Sequence, residues 1–248
     1  MARDSLRIVT WNVWFGQLER RARQRALWER LEAVDPDVIC LQEMIPEHLE
    51  GPEIERFRER GYWLSDTHVF GYDVVMLSRV PVLEHERRPQ ESEMGRALLL
   101  ARLDTQPPLT VATIHLESTS EMTDARVRQL RDIDQHLASE PAVVLVGDMN
   151  FSDDDPRETA EIARWHDVWP GLHPDDPGYT VDSHVNEMRY LSKNRHVQKR
   201  IDRVFVRGEG WRARSIERLG TEPLADDPLT FVSDHFGLRV DLERADAG

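Results

Sequence analysis

The sequence predicts a mixed α/β fold: two mixed β-sheets packed face to face and flanked by helices. Short β-branched runs alternate with helical periodicity through the first half of the chain. The apolar run 142–146 has the character of a central strand covered on both faces. Five polar motifs each close a hydrophobic run: Thr10-Trp11-Asn12, Leu41-Gln42-Glu43, His115-Leu116-Glu117-Ser118, Gly147-Asp148-Met149-Asn150 and Ser233-Asp234-His235. Strands that finish at one sheet edge would bring these motifs to a common cleft.

Residues 6–11 read as the first strand. Leu27, Leu31 and Val34 fall on one face of a helix that Asp35-Pro36 ends, and 38–41 returns to strand. Pro46 opens a second helix running through Ile54 and Phe57, with Gly61 suited to its C-terminal cap. Strands at 73–77, 97–103 and 109–114 come in quick succession, as in an antiparallel stretch. After Ser118, the residues Val127, Leu130, Ile133 and Leu137 share a helical face, and Pro141 closes that helix. Past Asp148 the chain is richer in loops, with Pro156, Pro170, Pro174 and Pro177, until 201–206 and 238–242 resume strand character. No composition shift, repeat or low-complexity tract divides the 248 residues, so one domain over 1–248 is expected.

The formal charge of −14 argues against sequence-blind adhesion to nucleic acid or anionic membrane, which needs an extended basic face. A phosphate substrate must then be held locally. Cations dominate only over 193–207, with Lys193, Arg195, Lys199, Arg200, Arg203 and Arg207. Cys40, the single cysteine, lies in an apolar run, so it reads as a buried structural thiol. Residues 1–7 carry no apolar leader and no run approaches bilayer length, so a soluble cytoplasmic chain is expected.

Glu43 ends an otherwise buried run, where a carboxylate either faces water or holds a cation. Asp148 and Asn150, two apart, would point the same way in extended chain, and Gly147 permits close backbone approach. An acid beside an amide can orient water or phosphate and offer oxygen ligands to Mg²⁺; the same residues also fit an ordinary Asx turn. Asp202 and the pair Asp234-His235 intrude on apolar frames. A carboxylate that accepts from one imidazole nitrogen fixes the tautomer of the ring, and Asp202 is the expected partner of His235. His85, His136 and His173 read as structural. Trp11, Trp14 and Phe15 either stack a base or belong to the core.

Together these residues resemble the endonuclease/exonuclease/phosphatase superfamily, with all motifs in order over nearly the whole chain. The fold this implies is a four-layered α/β sandwich like that of deoxyribonuclease I. Asn12, Asp148 and Asn150 resemble the family's phosphate- and nucleophile-orienting residues, Glu43 its principal metal ligand, and Asp234 and His235 its closing pair, with Asp234 a second metal ligand. His115-Leu116-Glu117-Ser118-Thr119 is similar to the 5′-tyrosyl-DNA phosphodiesterase branch, where the histidine and serine contact the scissile phosphate. Met94-Gly95-Arg96, Tyr179-Thr180 with Asp182 and Asn186, and 200–207 extend the likeness, making Arg96, Ser118, Tyr179 and Arg200 substrate contacts. Two positions depart: Trp14 stands where the branch has an acid, and Ser152 where it has an arginine.

The resemblance implies Mg²⁺-assisted, in-line hydrolysis of a phosphodiester, with Mn²⁺ as substitute. Asp148 would act on water, and His115 and His235 would neutralise charge on phosphorus. The implied partner is a nucleic-acid end, single-stranded 5′ DNA carrying a covalent adduct, bound by a monomer without a membrane. The alternatives are an apurinic or general nuclease, which needs a longer basic groove, and a small-molecule phosphodiesterase.

Overall fold

The computed structural model describes residues 3–65 and 71–245. The chain opens with β1 (Ser5–Asn12) and α1 (Arg20–Val34), whose Leu27, Trp28, Leu31 and Val34 are buried. Asp35 ends α1 in the left-handed region (φ 50°), donating its N–H to Leu31 O. After β2 (Val38–Met44) Pro46 starts only a 3-10 turn, Pro46–Leu49. The backbone then turns at Gly51 (φ +99°), and α2 (Pro52–Glu59) begins at the second proline, so the single helix expected here is two pieces. Gly61 does follow its end, as expected.

Next come β3 (Trp63–Leu64), β4 (Asp73–Ser78), β5 (Val82–Pro89), β6 (Ala97–Leu103) and β7 (Leu109–His115). The expected antiparallel stretch holds for β6 and β7 only, because β4 pairs with β2 in the other sheet. Strand β5 gave no signal in the sequence, being a charged edge with Glu84, Glu86, Arg87 and Arg88. The second half contributes α3 (Thr123–His136), β8 (Ala142–Asp148), α4 (Pro156–Glu161), β9 (His166–Asp167), α5 (Val168–Leu172), β10 (Val181–Asp182), α6 (Glu187–Lys193), β11 (Gln198–Lys199), β12 (Asp202–Gly208), β13 (Trp211–Leu219) and β14 (Gly237–Arg244).

Two six-stranded sheets result, ordered β13-β14-β1-β2-β4-β3 and β5-β6-β7-β8-β12-β9, with β10 and β11 forming a separate ribbon. Both large sheets are mixed, since β1–β2 and β7–β8 are parallel and their other pairs antiparallel. Strand alternation sorts the side chains into layers. Ile8, Cys40, Met76, Ala101, Val111, Val144 and Val204 fill the space between the sheets. Val9, Ile39 and Val75 face outward to Leu27, Trp28, Leu31, Ile54 and Phe57 of α1 and α2, while Leu100, Ala112, Val143, Leu145 and Phe205 face Leu130 and Ile133 of α3. This is the four-layered sandwich, helices outside and two sheets within.

The β8 strand is central as expected, between β7 and β12. Its register sets His115 opposite Asp148 on one side and Asp202 opposite Asp148 on the other, so three chemical groups sit side by side on adjacent strands. Gly147 makes that register possible: a Cβ there would lie 1.9 Å from Ile114 O, and its φ is +139°. Gly147→Ala combines strained backbone with a clash no rotamer relieves, and should cost about 3 kcal/mol, lowering Tm by roughly 6–12 °C. Gly95→Ala, also left-handed at φ +74° but with nothing within 4 Å, should lose clearly less in the same calorimetric scan. Equal losses would show that the close approach does not govern the site.

Candidate active site

All five motifs meet at one end of the two sheets. Asn12 ends β1, Glu43 lies near the end of β2, His115 ends β7, Asp148 ends β8, Asp202 begins the antiparallel β12, and Asp234 and His235 precede β14. Trp14, Glu43, Thr119 and Asn150 have φ of 55°, 59°, 73° and 53°. Non-glycine residues in this region carry strain, and all four lie in or beside the cleft motifs.

The Asn12 amide joins the sheets. Its Nδ2 donates to Glu43 Oε1 at 3.1 Å and to Asp148 Oδ2 at 2.9 Å, while its Oδ1 accepts from Trp14 N at 3.0 Å. Glu43 Oε2 accepts from Phe15 N at 3.1 Å. Ser233 Oγ donates to Asn12 O at 2.6 Å and accepts from His235 N at 3.2 Å, tying the segment before β14 to the end of β1.

Asp148 and Asn150 are related by an Asx turn and not by strand alternation, which corrects the extended geometry expected of them. Asn150 N donates to Asp148 Oδ1 at 3.0 Å, and its left-handed backbone sends Nδ2 to Leu116 O at 3.0 Å, with Ser118 Oγ at 3.4 Å.

The two cleft histidines have opposite electrostatics. Arg96 Nη1 lies 3.0 Å from His115 Nδ1. Guanidinium only donates, so Nδ1 accepts and the ring proton sits on Nε2, which is 3.4 Å from Asp148 Oδ2. Burial, the charge of Arg96 and that of His235 hold His115 well below the ordinary histidine value. His115 therefore brings a neutral N–H donor, not the positive charge expected from sequence. His235 Nδ1 donates to Asp202 Oδ2 at 2.9 Å, the pairing anticipated. Burial alone would lower its pKa, but the charge and hydrogen bond of Asp202, with Asp234 and Asp148, raise it well above the ordinary value. Burial first and Asp202 second push the Asp148 carboxyl up to about 7, against the opposing pull of His235 and the Asn12 hydrogen bond.

Two sets of acids can receive a cation. Asp148, Asp202 and His235 offer ligand atoms within 4.8 Å of one another. The His235–Asp202 hydrogen bond already occupies part of that set. Glu43 is mostly buried, raised by burial and by nearby Asp234, and has no ion pair among the described residues. Asp234 has one, with Arg189 Nε at 3.6 Å.

Of the expected substrate contacts, Arg96 and Ser118 are in the cleft, with Arg96 Nη2 donating to Ser118 Oγ at 2.8 Å. Arg200 is not free for substrate. It is 4% exposed, and it donates to Asp167 Oδ2 at 2.8 Å and Asp153 Oδ2 at 3.1 Å, with Arg203 sharing both acids. Arg207 pairs with Asp134 at 3.1 Å, leaving Lys193, Arg195 and Lys199 as the exposed cations of 193–207 without an ion pair among the described residues. Tyr179 enters the network through its carbonyl, which accepts from Arg218 Nη1 at 3.3 Å. Its neighbour Thr180 accepts from Asp202 N at 3.1 Å, and Asn186 Nδ2 donates to Ser233 O at 2.8 Å. Trp11 is core, Trp14 lies under Arg23, and Phe15 stacks on Tyr72 at 4.6 Å. His136 and His173 bond Glu86 and Ile216 O, and His85 packs on Trp63, all outside the cleft.

Sequence reasoning missed Glu117 and Gln42, although both lie inside motifs it singled out. Glu117, fully buried, accepts from Met94 N at 3.0 Å and lies 3.5 Å from Arg96 Nε, holding the strap that carries Arg96. Gln42 donates to Thr113 Oγ1 at 3.0 Å across the sheets. Arg96→Met should move the His115 titration upward in NMR, because removing a cation relieves the charged ring. An unchanged titration would show that burial alone sets it.

The Endonuclease/Exonuclease/phosphatase family matches residues 9–235 of the chain. Tyrosyl-DNA phosphodiesterase 2 of Gallus gallus is 32% identical over 253 residues, covering 95% of this chain and 66% of that protein. The Homo sapiens protein is 31% identical over 251 residues, covering 95% and 67%. The chain thus spans about two thirds of the length of these relatives. The crystal structure of D. rerio TDP2 with a single-strand DNA product superposes with a TM-score of 0.81 at 28% identity, covering 97% of this chain and all of that one. The catalytic domain of human Nocturnin shares the fold, with a TM-score of 0.75 at 15% identity over 99% of this chain and 95% of that one.

Proposed function

The chain belongs to the endonuclease/exonuclease/phosphatase family, and from that membership we propose that it is a metal-dependent phosphodiesterase that hydrolyses a 5′-phosphotyrosyl bond at a DNA end. The observation that carries the reading is the Asn12 amide spanning Glu43 and Asp148, with the His115 N–H beside the same Asp148 oxygen. The relatives named for tyrosyl-DNA phosphodiesterase and the D. rerio complex support the substrate class.

The residues fit a hard divalent cation, Mg²⁺ with Mn²⁺ as substitute. The donors are carboxylate oxygens, Glu43 lacks a cationic partner among the described residues, and Asp202 Oδ1 is buried without a hydrogen-bond partner. Glu43 would hold the ion, with Asp234 as second acid. When bound, it supplies Lewis-acid polarisation of a phosphate oxygen and compensation of charge on the leaving oxygen. Asp148, raised toward neutrality, takes a proton from the attacking water, and Asn12 fixes the direction of its carboxylate. His115 donates its Nε2 proton in a hydrogen bond to the phosphoryl oxygen. His235, held by Asp202, contributes positive charge where negative charge develops. Arg96 and Ser118 complete the phosphate contacts.

A phenoxide of pKa about 10 is far easier to expel than a sugar alkoxide, so charge compensation by the metal suffices for it without a dedicated acid. Among the described residues, three exposed cations of 193–207 have no ion pair, too few for a duplex groove. Phosphotyrosyl single-stranded DNA should therefore be cleaved much faster than abasic or intact duplex of matched length, with a salt dependence reflecting two or three phosphates at most. Duplex cut as fast as the adduct would replace this reading with a nuclease.

Hydrolysis should vanish in chelator, return with Mg²⁺ or Mn²⁺, and fall at least about a hundredfold in Glu43→Gln. Full activity in chelator would overturn the scheme. Asp202→Asn and His235→Ala should each cost rate, and the double mutant little more than the worse single one, since residues acting as a unit are non-additive. Additive losses would show that they act separately.

A further inference from the structure

Arg23 lies in the first turns of α1, 2% exposed, and the mechanism above makes no use of it. Helical side chains tilt toward the helix N-terminus, which aims this guanidinium at the loop 13–18 entering α1. Each of its five N–H donors meets a different backbone carbonyl. Nε donates to Leu18 O at 2.8 Å, Nη1 to Val13 O at 3.2 Å and Val232 O at 3.3 Å, and Nη2 to Trp14 O at 3.0 Å and Gly16 O at 2.7 Å. The Trp14 ring packs against its face, 4.5 Å from Cζ.

Four of these carbonyls belong to the loop that follows Asn12, and the fifth to the segment that leads into Asp234 and His235. The loop has no regular structure of its own and includes Trp14 at φ 55°. Yet two of its N–H groups fix the cleft acid and amide: Trp14 N on Asn12 Oδ1 and Phe15 N on Glu43 Oε2. A strained, irregular loop holds one position only when its surroundings over-determine it. Arg20 adds two bonds to the loop, Nη2 to Phe15 O at 2.6 Å and Nε to Gly16 O at 3.3 Å, whereas Arg23 gathers four loop carbonyls and ties them to Val232.

We propose that Arg23 is a positioning residue for the metal site: by collecting the carbonyls of 13–18 and of Val232, it holds the Phe15 and Trp14 amides that set the Glu43 carboxylate and the Asn12 amide. The inference rests on the assignment of Glu43 as the metal-holding acid. Lysine keeps the charge but has three donors and no planar fork, so Arg23→Lys separates geometry from electrostatics. Gly16 gives an independent handle, because a Cβ there would sit 2.4 Å from the Trp14 ring and disturb the Trp14–Arg23 stack without changing either residue.

The test is Mn²⁺ binding to the full chain, followed by electron paramagnetic resonance without substrate, alongside metal-dependent kinetics. Arg23→Lys should weaken Mn²⁺ about tenfold, the scale of loss when a residue supporting a metal ligand is removed. Gly16→Ala should weaken it in the same direction. Activity lost at low metal should largely return at saturating Mn²⁺. Ile54→Ala, on α2 in the buried cluster with Leu27 and Trp28 of α1 and outside the cleft motifs, serves as a stability control and should bind Mn²⁺ as the unaltered protein does. If Arg23→Lys binds Mn²⁺ as tightly as the unaltered protein, or Ile54→Ala weakens it equally, the positioning role is wrong. Should Arg23→Lys fail to fold, Gly16→Ala decides alone, and unchanged binding there overturns the proposal. Glu43→Gln in the same series distinguishes the two levels: if it binds Mn²⁺ normally, the Glu43 assignment fails and this inference falls with it.

Discussion

Two sheets packed through an apolar core have no strong preference for how their ends are offset, and in this fold a polar seam fixes that offset. Asn12, on β1, donates to Asp148, on β8 of the opposite sheet, at 2.9 Å. Gln42 repeats the device one strand over, reaching Thr113 at 3.0 Å. Both amides are buried, and a buried amide without partners costs more than one that is paired gains. Sliding the sheets would break both cross-sheet bonds and leave each amide only its partners within its own sheet, so the cleft inherits its geometry from the core beneath it.

The same economy of partners explains the charges. Asp148 and Asp202 face each other across paired strands, an arrangement that would repel without His235 between them. His115 stands on the other side of Asp148, where burial first and the charge of Arg96 second hold it well below the ordinary histidine value. Two neighbouring imidazoles are thus shifted in opposite directions, His115 downward by burial and the charge of Arg96, His235 upward by Asp202 against its burial. Neither assignment follows from the residue type alone.

An acidic chain that handles phosphate must also keep its arginines from being wasted, and most here are engaged internally. Arg200 and Arg203 share Asp153 and Asp167, and Arg126 lies 2.8 Å from Glu158. A buried guanidinium requires such partners, because an unpaired buried charge is far costlier than a surface one. The cationic segment that looked continuous in sequence is consequently split between the interior and three exposed residues.

Much of the fold was legible in the sequence because its signals are local. Short apolar and β-branched runs placed β1, β2, β4, β6, β7, β8, β12 and β14, and the polar residue closing a hydrophobic run marked where the cleft would form. Residue type and frame also sufficed to pair Asp202 with His235. What the sequence could not decide depended on partners distant along the chain. The assignment of β4 and β6 to different sheets, the spending of Arg200 on Asp153 and Asp167, the neutral state of His115, and the five carbonyls gathered by Arg23 all arise from contacts made only on folding. Periodicity reports which face of an element is apolar. It carries no information about which donor meets which acceptor, and those pairings, set by the register around Gly147 and the seam at Asn12, give the cleft its chemistry.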